Sequence, residues 1–520
     1  MHHDIKFGTD GWRAIIGEDF TSETLALAIH AAARAFKKKL IDTANNSACD
    51  SSVSAEIKFK DRPALFIGYD CRENADIFAR QAAEIVSSYG FNALLSLEYC
   101  PTPALCWNVA HNNDAVGGIM LTSSHNPAEY LGVKLRMEDG GASGNDFTNI
   151  VESYIALSLD GSNDENVSYE KLGYKSEATY NASVESFLPA VIDNTKEEAS
   201  VILTDLMEPY ISALEASVDS ELIRSANLKV VVDPMYGAGR SYLASILRKM
   251  GCEVCEINND KDPTFDGLHP EPIPPWIDRG RDKVKELGYD ACFFTDGDAD
   301  RIAAANSQGD FVNPHRIIAL LIDHMVSNKN GGAPGRVVST VTSSALISRQ
   351  CKRLDCEYTT TPVGFKWIYA EMQKGDVLIG GEESGGIGLP DHVMERDGLL
   401  MALLLCEMMA VSGKSLGALI DDMLNTLGTL EFIRIGESLS DTQMNHFLNE
   451  TLKNFEPDVI CGMRVICIDR RDGVKFLLED DAWLMLRPSG TEPLVRIYAE
   501  AATCETLDAL VDEGRNIVRC

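Results

Sequence analysis

The sequence predicts three similar α/β domains with mixed, largely parallel sheets, followed by a C-terminal α+β domain. At 520 residues the chain is too long to form one hydrophobic core. Apolar runs typical of strands alternate with helix-like segments, which is the pattern of parallel α/β sheets. From about residue 429 the pattern changes to several strand-like runs and one terminal helical stretch, which is typical of a small α+β domain.

The same order of elements occurs three times along the chain. An apolar run enters a polar turn, a helix-like segment follows, and a second apolar run then ends in an unusual polar loop. Ligands bind beyond the carboxyl ends of strands in such sheets, so we expect the three polar loops to face a central active-site cleft. The first runs lie at 64–72, 229–240 and 336–344, and the second runs lie at 115–127, 291–301 and 376–386.

The repeats predict domains at 1–200, 201–312, 313–428 and 429–520. Polar stretches at 41–63 and 159–183 are expected to be surface insertions or loops. Their role does not follow from the sequence. The most apolar run, residues 399–411, is too short to cross a bilayer and contains Glu407, so it predicts a buried helix.

The net charge and the cysteines indicate which binding partners and which cellular compartment to expect. The net charge of −32 disfavours nucleic acids and anionic membrane surfaces. The amino terminus shows no secretory signal, and the 14 cysteines are scattered, which is typical of reduced cytosolic thiols. We therefore expect a cytoplasmic protein with a small-molecule partner, and the sequence leaves open whether it is a monomer or a dimer.

The loop TDGDADR, residues 295–301, carries three alternating aspartates. Asp296, Asp298 and Asp300 can aim three carboxylates at one point if the loop is extended. Such a set of hard oxygen ligands needs a hard cation to offset its repulsion, and Mg²⁺ is the first choice. The alternative is an acidic surface turn, which the preceding buried strand disfavours.

The loop RPSGTEP, residues 487–493, has the composition of an anion site. Arg487 can form a forked contact with a phosphate, and Ser489 and Thr491 supply hydroxyls. Gly490 allows the backbone N–H groups to turn inward. An ordinary hairpin turn between two strands explains this motif equally well when it is considered alone.

Two further loops carry polar groups at strand ends. GGEESGGIG, residues 380–388, surrounds Glu382 and Ser384 with glycines, and a carboxylate with a hydroxyl suits the recognition of sugar hydroxyls. A flexible linker is the alternative. TSSHNP, residues 122–127, places the candidate nucleophile Ser124 beside His125, in a loop that we expect to be exposed.

These four loops and the opening FGTDGWRAIIGEDF are five motifs that, taken in order, resemble the α-D-phosphohexomutase superfamily of phosphoglucomutase and phosphomannomutase enzymes. The resemblance covers nearly the whole chain. It implies that Ser124 carries a phosphoryl group and that Asp296, Asp298 and Asp300 bind Mg²⁺ together with it. It also implies that Glu382 and Ser384 contact the O3 and O4 hydroxyls of the sugar.

The resemblance assigns further residues to the site. It implies that the final loop holds the phosphate that is not being transferred, through Arg487, Ser489, Gly490 and Thr491. Other positions matching active-site residues of the family are Arg13, His125, Lys134, Arg301 and Lys366. One position departs from the pattern of many bacterial members, because Gly386 stands where they have a histidine.

The resemblance implies a reaction and leaves the hexose open. We expect interconversion of glucose 1-phosphate and glucose 6-phosphate through a hexose 1,6-bisphosphate, with mannose phosphates as secondary substrates. Glucosamine phosphate is the alternative, because it also differs from glucose phosphate at C2. Contacts to O3 and O4 do not distinguish substituents at C2. A metal-dependent sugar phosphatase and a non-catalytic sugar-phosphate sensor are weaker alternatives, because Ser124 and the complete aspartate set favour a mutase.

Overall fold

The computed structural model describes residues 5–49, 63–159, 200–489 and 494–519. The chain forms two compact units. The first unit comprises Met1–Phe311 and Gly386–Gly413, and the second unit comprises Val312–Gly385 and Lys414–Cys520.

The first unit contains a six-stranded mixed sheet in the order β1-β5-β4-β2-β3-β6. Strands β4, β2, β3 and β6 are parallel to one another, while β5 pairs antiparallel with both β4 and β1. The bounds are β1 Trp12–Ile15, β2 Ala64–Tyr69, β3 Asn92–Ser96, β4 Ala115–Leu121, β5 Tyr130–Met137 and β6 Val201–Thr204.

A second sheet in the same unit has five strands in the order β11-β10-β9-β7-β8. Strands β9, β7 and β8 are parallel, and β10 returns antiparallel to β9. The bounds are β7 Lys229–Asp233, β8 Glu253–Glu256, β9 Ala291–Thr295, β10 Ile302–Asn306 and β11 Phe311–Val312.

Helices connect the parallel strands of the first unit. The helix Gly398–Ser412 is buried along most of its length, and its Glu407 accepts a hydrogen bond from the backbone N–H of Asp219 at 2.7 Å. This confirms the buried helix that the sequence predicts. The other helices of the unit are Ser22–Cys49, Ala75–Ser88, Thr102–His111, Asn145–Leu159, Met207–Ala216, Ser220–Ala226, Tyr242–Lys249 and Asp278–Leu287.

The second unit contains a sheet with three parallel strands and a six-stranded sheet. The smaller sheet has the strand order β13-β12-β14. Its strands are β12 Arg336–Thr340, β13 Glu357–Thr361 and β14 Val377–Gly381, while β15 Ile387–Gly388 lies in the first unit. Its helices are Pro314–His324, Ala345–Arg353, Phe365–Met372 and Leu416–Leu427.

The six-stranded sheet is antiparallel, in the order β16-β21-β20-β19-β18-β17, and is the predicted C-terminal α+β fold. The long helix Cys504–Arg519 buries Leu507, Leu510 and Ile517 in a core shared with this sheet. The bounds are β16 Glu431–Ser438, β17 Val459–Ile460, β18 Met463–Asp469, β19 Val474–Leu478, β20 Trp483–Pro488 and β21 Leu494–Ala501, with short helices at Asp441–His446 and Leu452–Asn454.

The three parallel sheets share one internal arrangement, which confirms the three similar α/β folds. Each has a central strand flanked by the two parallel strands that follow it in sequence, namely β2 by β3 and β4, β7 by β8 and β9, and β12 by β13 and β14. The sequence repeat missed the middle strands β3, β8 and β13. The polar loops that it identified follow β4, β9 and β14 directly.

The expected insertion at 41–63 is partly wrong, because residues 41–49 continue the first helix. Residues 50–62 and 160–183 lie outside the described part of the chain, and the domain boundaries stay a prediction. Across the described ranges, no single helix is long and apolar enough to cross a membrane, although the consecutive pair Gly398–Ser412 and Leu416–Leu427 satisfies length and composition together.

Candidate active site

Three aspartates meet in the loop between β9 and β10. The carboxylates of Asp296, Asp298 and Asp300 are fully buried, and one oxygen from each lies within 4.8 Å of the others. Burial and the charges of Asp300 and Asp298 raise the pKa of Asp296 well above its usual value. The loop therefore concentrates negative charge at one point, as the sequence predicts.

The donor set fits a metal ion. Asp298 Oδ1 and Asp300 Oδ1 are buried and have no hydrogen-bond partner within the described part of the chain. A buried carboxylate oxygen without a donor is costly unless a cation contacts it. Three convergent carboxylates are the oxygen ligands that hard divalent cations prefer. The cluster can therefore bind a metal ion.

Lys134 on β5 is in direct contact with this cluster. Its Nζ donates to Asp298 Oδ2 at 2.7 Å and to Asp300 Oδ2 at 2.8 Å, and it also lies 2.9 Å from Asp10 Oδ2. Burial lowers the pKa of Lys134, but these three carboxylates outweigh it and raise the pKa above its usual value. Lys134 therefore stays charged in this environment.

Ser124 lies in the loop that follows β4, and its side chain contacts the aspartate cluster. Its Oγ donates to Asp296 Oδ2 at 2.9 Å and lies 3.4 Å from His125 Nδ1. Its backbone adopts φ of 53°, in the left-handed region that non-glycine residues rarely occupy. Ser124 itself is only 1% exposed, which corrects the expectation that it is exposed, although residues 125–128 of the loop are partly exposed. The aspartate and arginine groups packed around the loop bury this serine.

Arg72, just beyond β2, holds the backbone of the Ser124 loop. Its guanidinium donates to the carbonyls of Ser124, Asn126, Pro127 and Tyr130 at 2.6–2.9 Å. These contacts bind the loop's backbone, so they can hold Ser124 in its unusual conformation.

Asp70 orients Arg72 and ties it to the strand end. Its Oδ2 lies 3.0 Å from Arg72 Nε and accepts a 2.7 Å hydrogen bond from Thr122 Oγ1, which in turn accepts from the Ser124 N–H at 2.9 Å. The sequence reasoning missed both residues. The polar turn DCR after β2 was the available signal.

Gly297 explains how the two loops come so close. A Cβ at this position would lie 2.3 Å from the carbonyl oxygen of Ser124, a distance that backbone atoms cannot tolerate. A glycine between Asp296 and Asp298 is therefore required for the serine loop and the aspartate loop to touch.

A network of ion pairs surrounds the cluster. Asp10 forms ion pairs with Arg136 at 2.9 Å and with Arg396 at 2.5 Å. Arg396 also forms an ion pair with Asp300 at 2.7 Å. Burial would raise the pKa of Asp10, but Arg136, Lys134 and Arg396 hold it well below its usual value. Glu395 completes the network by pairing with both arginines. None of these four residues was assigned a role from the sequence.

Two further predicted residues flank the serine loop and the aspartates. Arg13 Nη1 donates to Asn126 Oδ1 at 2.6 Å, which links β1 to the serine loop. The Arg301 side chain is 10% exposed and its Nε has no hydrogen-bond partner within the described residues, with Asp296 Oδ2 3.8 Å away. Arg301 also forms an antiparallel backbone bridge with Gly386, so backbone pairing occupies the position where the family pattern has a histidine.

In the second unit, the loop after β14 is held by its own domain. Gly364 N–H donates to Glu382 Oε1 at 3.1 Å. Glu383 Oε2 accepts from Thr340 Oγ1 at 3.1 Å and from Thr342 Oγ1 at 2.6 Å. Ser384 is partly exposed, and Lys366 Nζ lies 5.6 Å from the ring centroid of Trp367.

Arg487 lies near the end of β20 and is held by one carboxylate. Its Nε donates to Asp472 Oδ1 at 2.9 Å. Its register partner across the sheet is Arg496 on β21, which the sequence reasoning missed and which the pairing of the two strands brings beside it. Ser489 N–H donates to Leu494 O at 2.9 Å, and Gly490 and Thr491 lie outside the described residues.

The structure thus groups the predicted residues in two sets. Ser124, His125, Lys134, Arg13, the three aspartates and Arg301 belong to the first unit. The second unit holds Lys366, Glu382, Ser384, Arg487 and Ser489.

Family models of the phosphoglucomutase/phosphomannomutase type match the chain in four segments. Their α/β/α domains I, II and III match residues 4–159, 208–309 and 313–427, and the C-terminal domain matches residues 448–517. The chain therefore belongs to the phosphoglucomutase/phosphomannomutase family, within the α-D-phosphohexomutase superfamily, and is a phosphohexomutase.

Individual relatives have names that differ in the sugar. The chain is 30% identical to a phosphoglucomutase/phosphomannomutase of Thermococcus kodakarensis over 98% of this chain and 97% of the relative. It is 28% identical to a phosphoglucosamine/phosphogalactosamine mutase of Sulfurisphaera tokodaii over 98% of each chain. A crystal structure of a Thermus thermophilus protein, described provisionally as a phosphomannomutase, is similar with a TM-score of 0.78 and 31% identity over 99% of each chain.

Proposed function

We propose that this phosphohexomutase transfers a phosphoryl group reversibly between O1 and O6 of a hexose phosphate, with Ser124 as the phosphoryl carrier. The 2.9 Å hydrogen bond from Ser124 Oγ to Asp296 carries this proposal, because it places a nucleophilic hydroxyl of the loop against the metal-binding carboxylates. In the first half-reaction the bond between Ser124 Oγ and phosphorus breaks, and a bond from the free sugar hydroxyl to phosphorus forms. The proton of that hydroxyl passes to Ser124 Oγ.

The second half-reaction reverses the first one at the other end of the sugar. The hexose 1,6-bisphosphate turns around, so that its original phosphate faces Ser124. The Ser124 hydroxyl then attacks that phosphorus, its proton passes to the departing sugar oxygen, and the phosphoserine is restored. His125 Nδ1, 3.4 Å from Ser124 Oγ, and Lys134 are the proposed proton-transfer groups, with the charged Lys134 as a proton donor.

Asp296, Asp298 and Asp300 would hold Mg²⁺, together with an oxygen of the phosphoserine. When bound, the ion supplies charge neutralisation for the transferring phosphoryl group. Lys134 keeps the aspartates in place through two hydrogen bonds. Arg13 positions the serine loop through Asn126. Arg301, whose Nε has no hydrogen-bond partner among the described residues, is suited to an anionic oxygen of the substrate.

The second unit supplies the proposed substrate contacts. We infer that Glu382 and Ser384 accept and donate hydrogen bonds at O3 and O4, and that Arg487 with Ser489, Gly490 and Thr491 binds the phosphate that is not being transferred. Lys366 lies in the first turn of the helix that follows Gly364, whose N–H is bonded to Glu382, so we assign it to the same sugar-binding region.

We propose glucose phosphates as the preferred substrates, with mannose phosphates second. Phosphoglucosamine is the second candidate, and the name of the Sulfurisphaera tokodaii relative favours it. The proposed contacts are to O3 and O4 and do not include the substituent at C2. Glucose, mannose and glucosamine differ at C2. A site that does not contact a group discriminates weakly against its replacement.

The substrate proposal is tested by measuring kcat/KM for glucose, mannose and glucosamine 1-phosphates, with the same Mg²⁺ and the same hexose 1,6-bisphosphate activator. We expect kcat/KM to be highest for glucose 1-phosphate. A preference of tenfold or more for glucosamine 1-phosphate, about 1.4 kcal/mol in the transition state, would show that the sugar is wrong while leaving the mutase reaction intact.

Two broader expectations remain proposals. We propose that the chain divides into domains at 1–200, 201–312, 313–428 and 429–520, with most of one sheet in each, although β6 at Val201–Thr204 pairs with the sheet of the first domain. We also propose a cytoplasmic location, which the composition and scattered cysteines support.

A further inference from the structure

A cavity of about 680 Å³ lies in the second unit, between the end of β12 and strands β18 and β19. This volume is in the range of sites for small organic molecules. None of the residues proposed above to bind the sugar or its phosphate lines it. The lining residues that matter for its chemistry are Lys475, Trp483, Tyr358, Arg471 and Ser348.

Lys475 brings a buried positive charge to this cavity. The residue is 8% exposed, its Nζ donates to the carbonyl of Val341 at 2.7 Å, and it lies 3.7 Å from the ring centroid of Trp483. Within the described ranges, no carboxylate lies within 4.0 Å of this ammonium group. Burial lowers the pKa of Lys475 to about 8, against smaller opposite effects of Glu500 and Asp469. A buried ammonium with so few partners favours a neutralising anion.

The carboxylates around the cavity do not provide that anion. Glu500 accepts hydrogen bonds from Trp483 Nε1 at 2.9 Å and from the Ala345 N–H at 2.8 Å, and Asp480 is exposed to solvent. The other lining carboxylates each pair with an arginine, in the pairs Asp469–Arg471 at 2.6 Å, Glu479–Arg464 at 3.0 Å and Asp481–Arg349 at 2.8 Å.

The remaining lining groups suit a hydroxylated molecule. Hydroxyls line the cavity alongside the face of Trp483, and hydroxyls both donate and accept hydrogen bonds. They belong to Thr340, Ser343, Ser344, Ser348, Tyr358 and Thr360. We propose that this cavity is an accessory binding site for a small hydroxylated organic anion, whose carboxylate or phosphate group pairs with Lys475.

Hydrogen bonds connect this cavity to the loop after β14. The carbonyl of Val341 accepts from Lys475, while Thr340 and Thr342 on either side donate to Glu383. An anion that draws Lys475 away from Val341 alters the segment that holds Glu383. Glu383 stands between Glu382 and Ser384, so binding in the cavity changes the KM for the sugar phosphate. This coupling rests on the function proposed for those two residues, and it is reciprocal, since the substrate then changes the affinity for the anion equally.

Isothermal titration calorimetry of the full chain tests the site with two probes, gluconate as a hydroxylated carboxylate and glycerol 2-phosphate as a hydroxylated phosphate ester. We expect at least one probe to bind, and to bind at least tenfold more weakly to Lys475→Met. Lys374→Met, which removes an exposed lysine of the same unit, is the matched control and keeps the affinity. Arg487→Ala also keeps it. Absence of binding by both probes overturns the proposal, and so does binding that survives Lys475→Met but is lost in Arg487→Ala.

A second variant guards against misfolding of Lys475→Met. Ser348→Phe fills the cavity and leaves Lys475 in place, so it abolishes probe binding while the melting temperature stays near that of the parent protein. In the parent, saturating probe changes the KM for glucose 1-phosphate at least threefold, and in Ser348→Phe it does not. An unchanged KM with proven binding refutes the coupling. A protein inactive on every hexose 1-phosphate would refute the proposed function, while calorimetry still decides the site.

Discussion

The aspartate–serine cluster of the first unit and the proposed substrate loops of the second unit differ in how firmly their side chains are held. Ser124 and the three aspartates are at most 1% exposed, and hydrogen bonds from Lys134 and ion pairs from the surrounding arginines reach them. Ser384 and Ser489 are partly exposed, and Arg487 is held by one carboxylate, Asp472. Phosphoryl transfer requires positioning to a fraction of an ångström, whereas a sugar that binds in two orientations requires contacts that adapt.

The firmly held region also contains the greater local strain and charge density. Ser124 adopts a left-handed backbone, and buried carboxylates lie side by side. Such features persist only when the surroundings determine them fully, and here Arg72, Lys134 and the arginine network do so. The comparison predicts that substitutions in the first region reduce kcat steeply, while those in the second region mainly raise KM.

The largest expected effect is that of Ser124→Ala. Because the proposed phosphoryl carrier is lost, kcat should fall at least about 1,000-fold. The measurement is mutase activity together with the intact mass of the active enzyme, which should show one phosphoryl group in the parent and none in the variant. Ser123→Ala is the matched control, because Ser123 Oγ is buried beside it and has no hydrogen-bond partner among the described residues. A fully active Ser124→Ala enzyme would end the phosphoserine proposal.

Metal removal is expected to have the next largest effect. Exhaustive chelation should abolish turnover and Mg²⁺ should restore it, because three carboxylates without a cation repel the phosphate. Asp298→Asn should lower kcat roughly 100- to 1,000-fold and weaken Mg²⁺ binding in calorimetry. Asp233→Asn, at the end of β7, replaces a fully buried aspartate outside the cluster and should leave Mg²⁺ affinity unchanged. Full activity after chelation would contradict the metal assignment.

Arg72→Lys tests whether the backbone of the serine loop needs its support. Lysine cannot reproduce the fork that contacts four carbonyls, so we expect kcat to fall about 100-fold while KM changes little. The split between kcat and KM is the informative readout, because general destabilisation at the assay temperature would lower the active fraction and leave the kcat of the remaining enzyme intact. An active-site titration therefore accompanies the kinetics. An unchanged kcat per active site would show that Ser124 holds its conformation without Arg72.

Arg487→Ala tests the comparison between the two regions with a residue of the second unit. Loss of a charge-assisted contact costs about 1.5–3 kcal/mol, so the KM for hexose phosphate and for the bisphosphate should rise roughly 10- to 100-fold, with a smaller change in kcat. Arg515→Ala, an exposed arginine on the terminal helix, is the control. If kcat alone fell, Arg487 would belong functionally with the rigid region, and the contrast between the two regions would fail.

Thr342→Val should give the smallest effect. It removes the 2.6 Å hydrogen bond to Glu383 and preserves side-chain shape, at a cost of about 1 kcal/mol. We expect the KM to rise about fivefold at constant kcat. Steady-state kinetics at several sugar phosphate concentrations measures this, and Thr359→Val, elsewhere on the same sheet, serves as the comparison. An unaltered KM would show that Glu383 is positioned by other contacts.

Local chemistry explains why much of the site could be predicted from the sequence. Asp296, Asp298 and Asp300 alternate along one short loop, so their convergence follows from the loop itself. The loops after β4, β9 and β14 could be placed because strand-like runs precede them. By contrast, Arg72 reaches the serine loop from a different strand end, and Arg396 reaches Asp300 from a segment almost one hundred positions later in the chain. No local sequence pattern predicts such pairs.

The amino-acid sequence by itself determined the repeated strand–helix order, the five motifs and the family, because periodicity and motif spacing are local properties of the chain. The tertiary structure alone decided that Ser124 is buried rather than exposed, that Gly297 gives the serine carbonyl room, and that a charged network encloses Asp10. It also brought Lys475 under the face of Trp483 in a cavity that no motif marks. The reason is physical. Burial, pKa and hydrogen-bond satisfaction depend on groups that are distant in sequence and meet only when the sheets form.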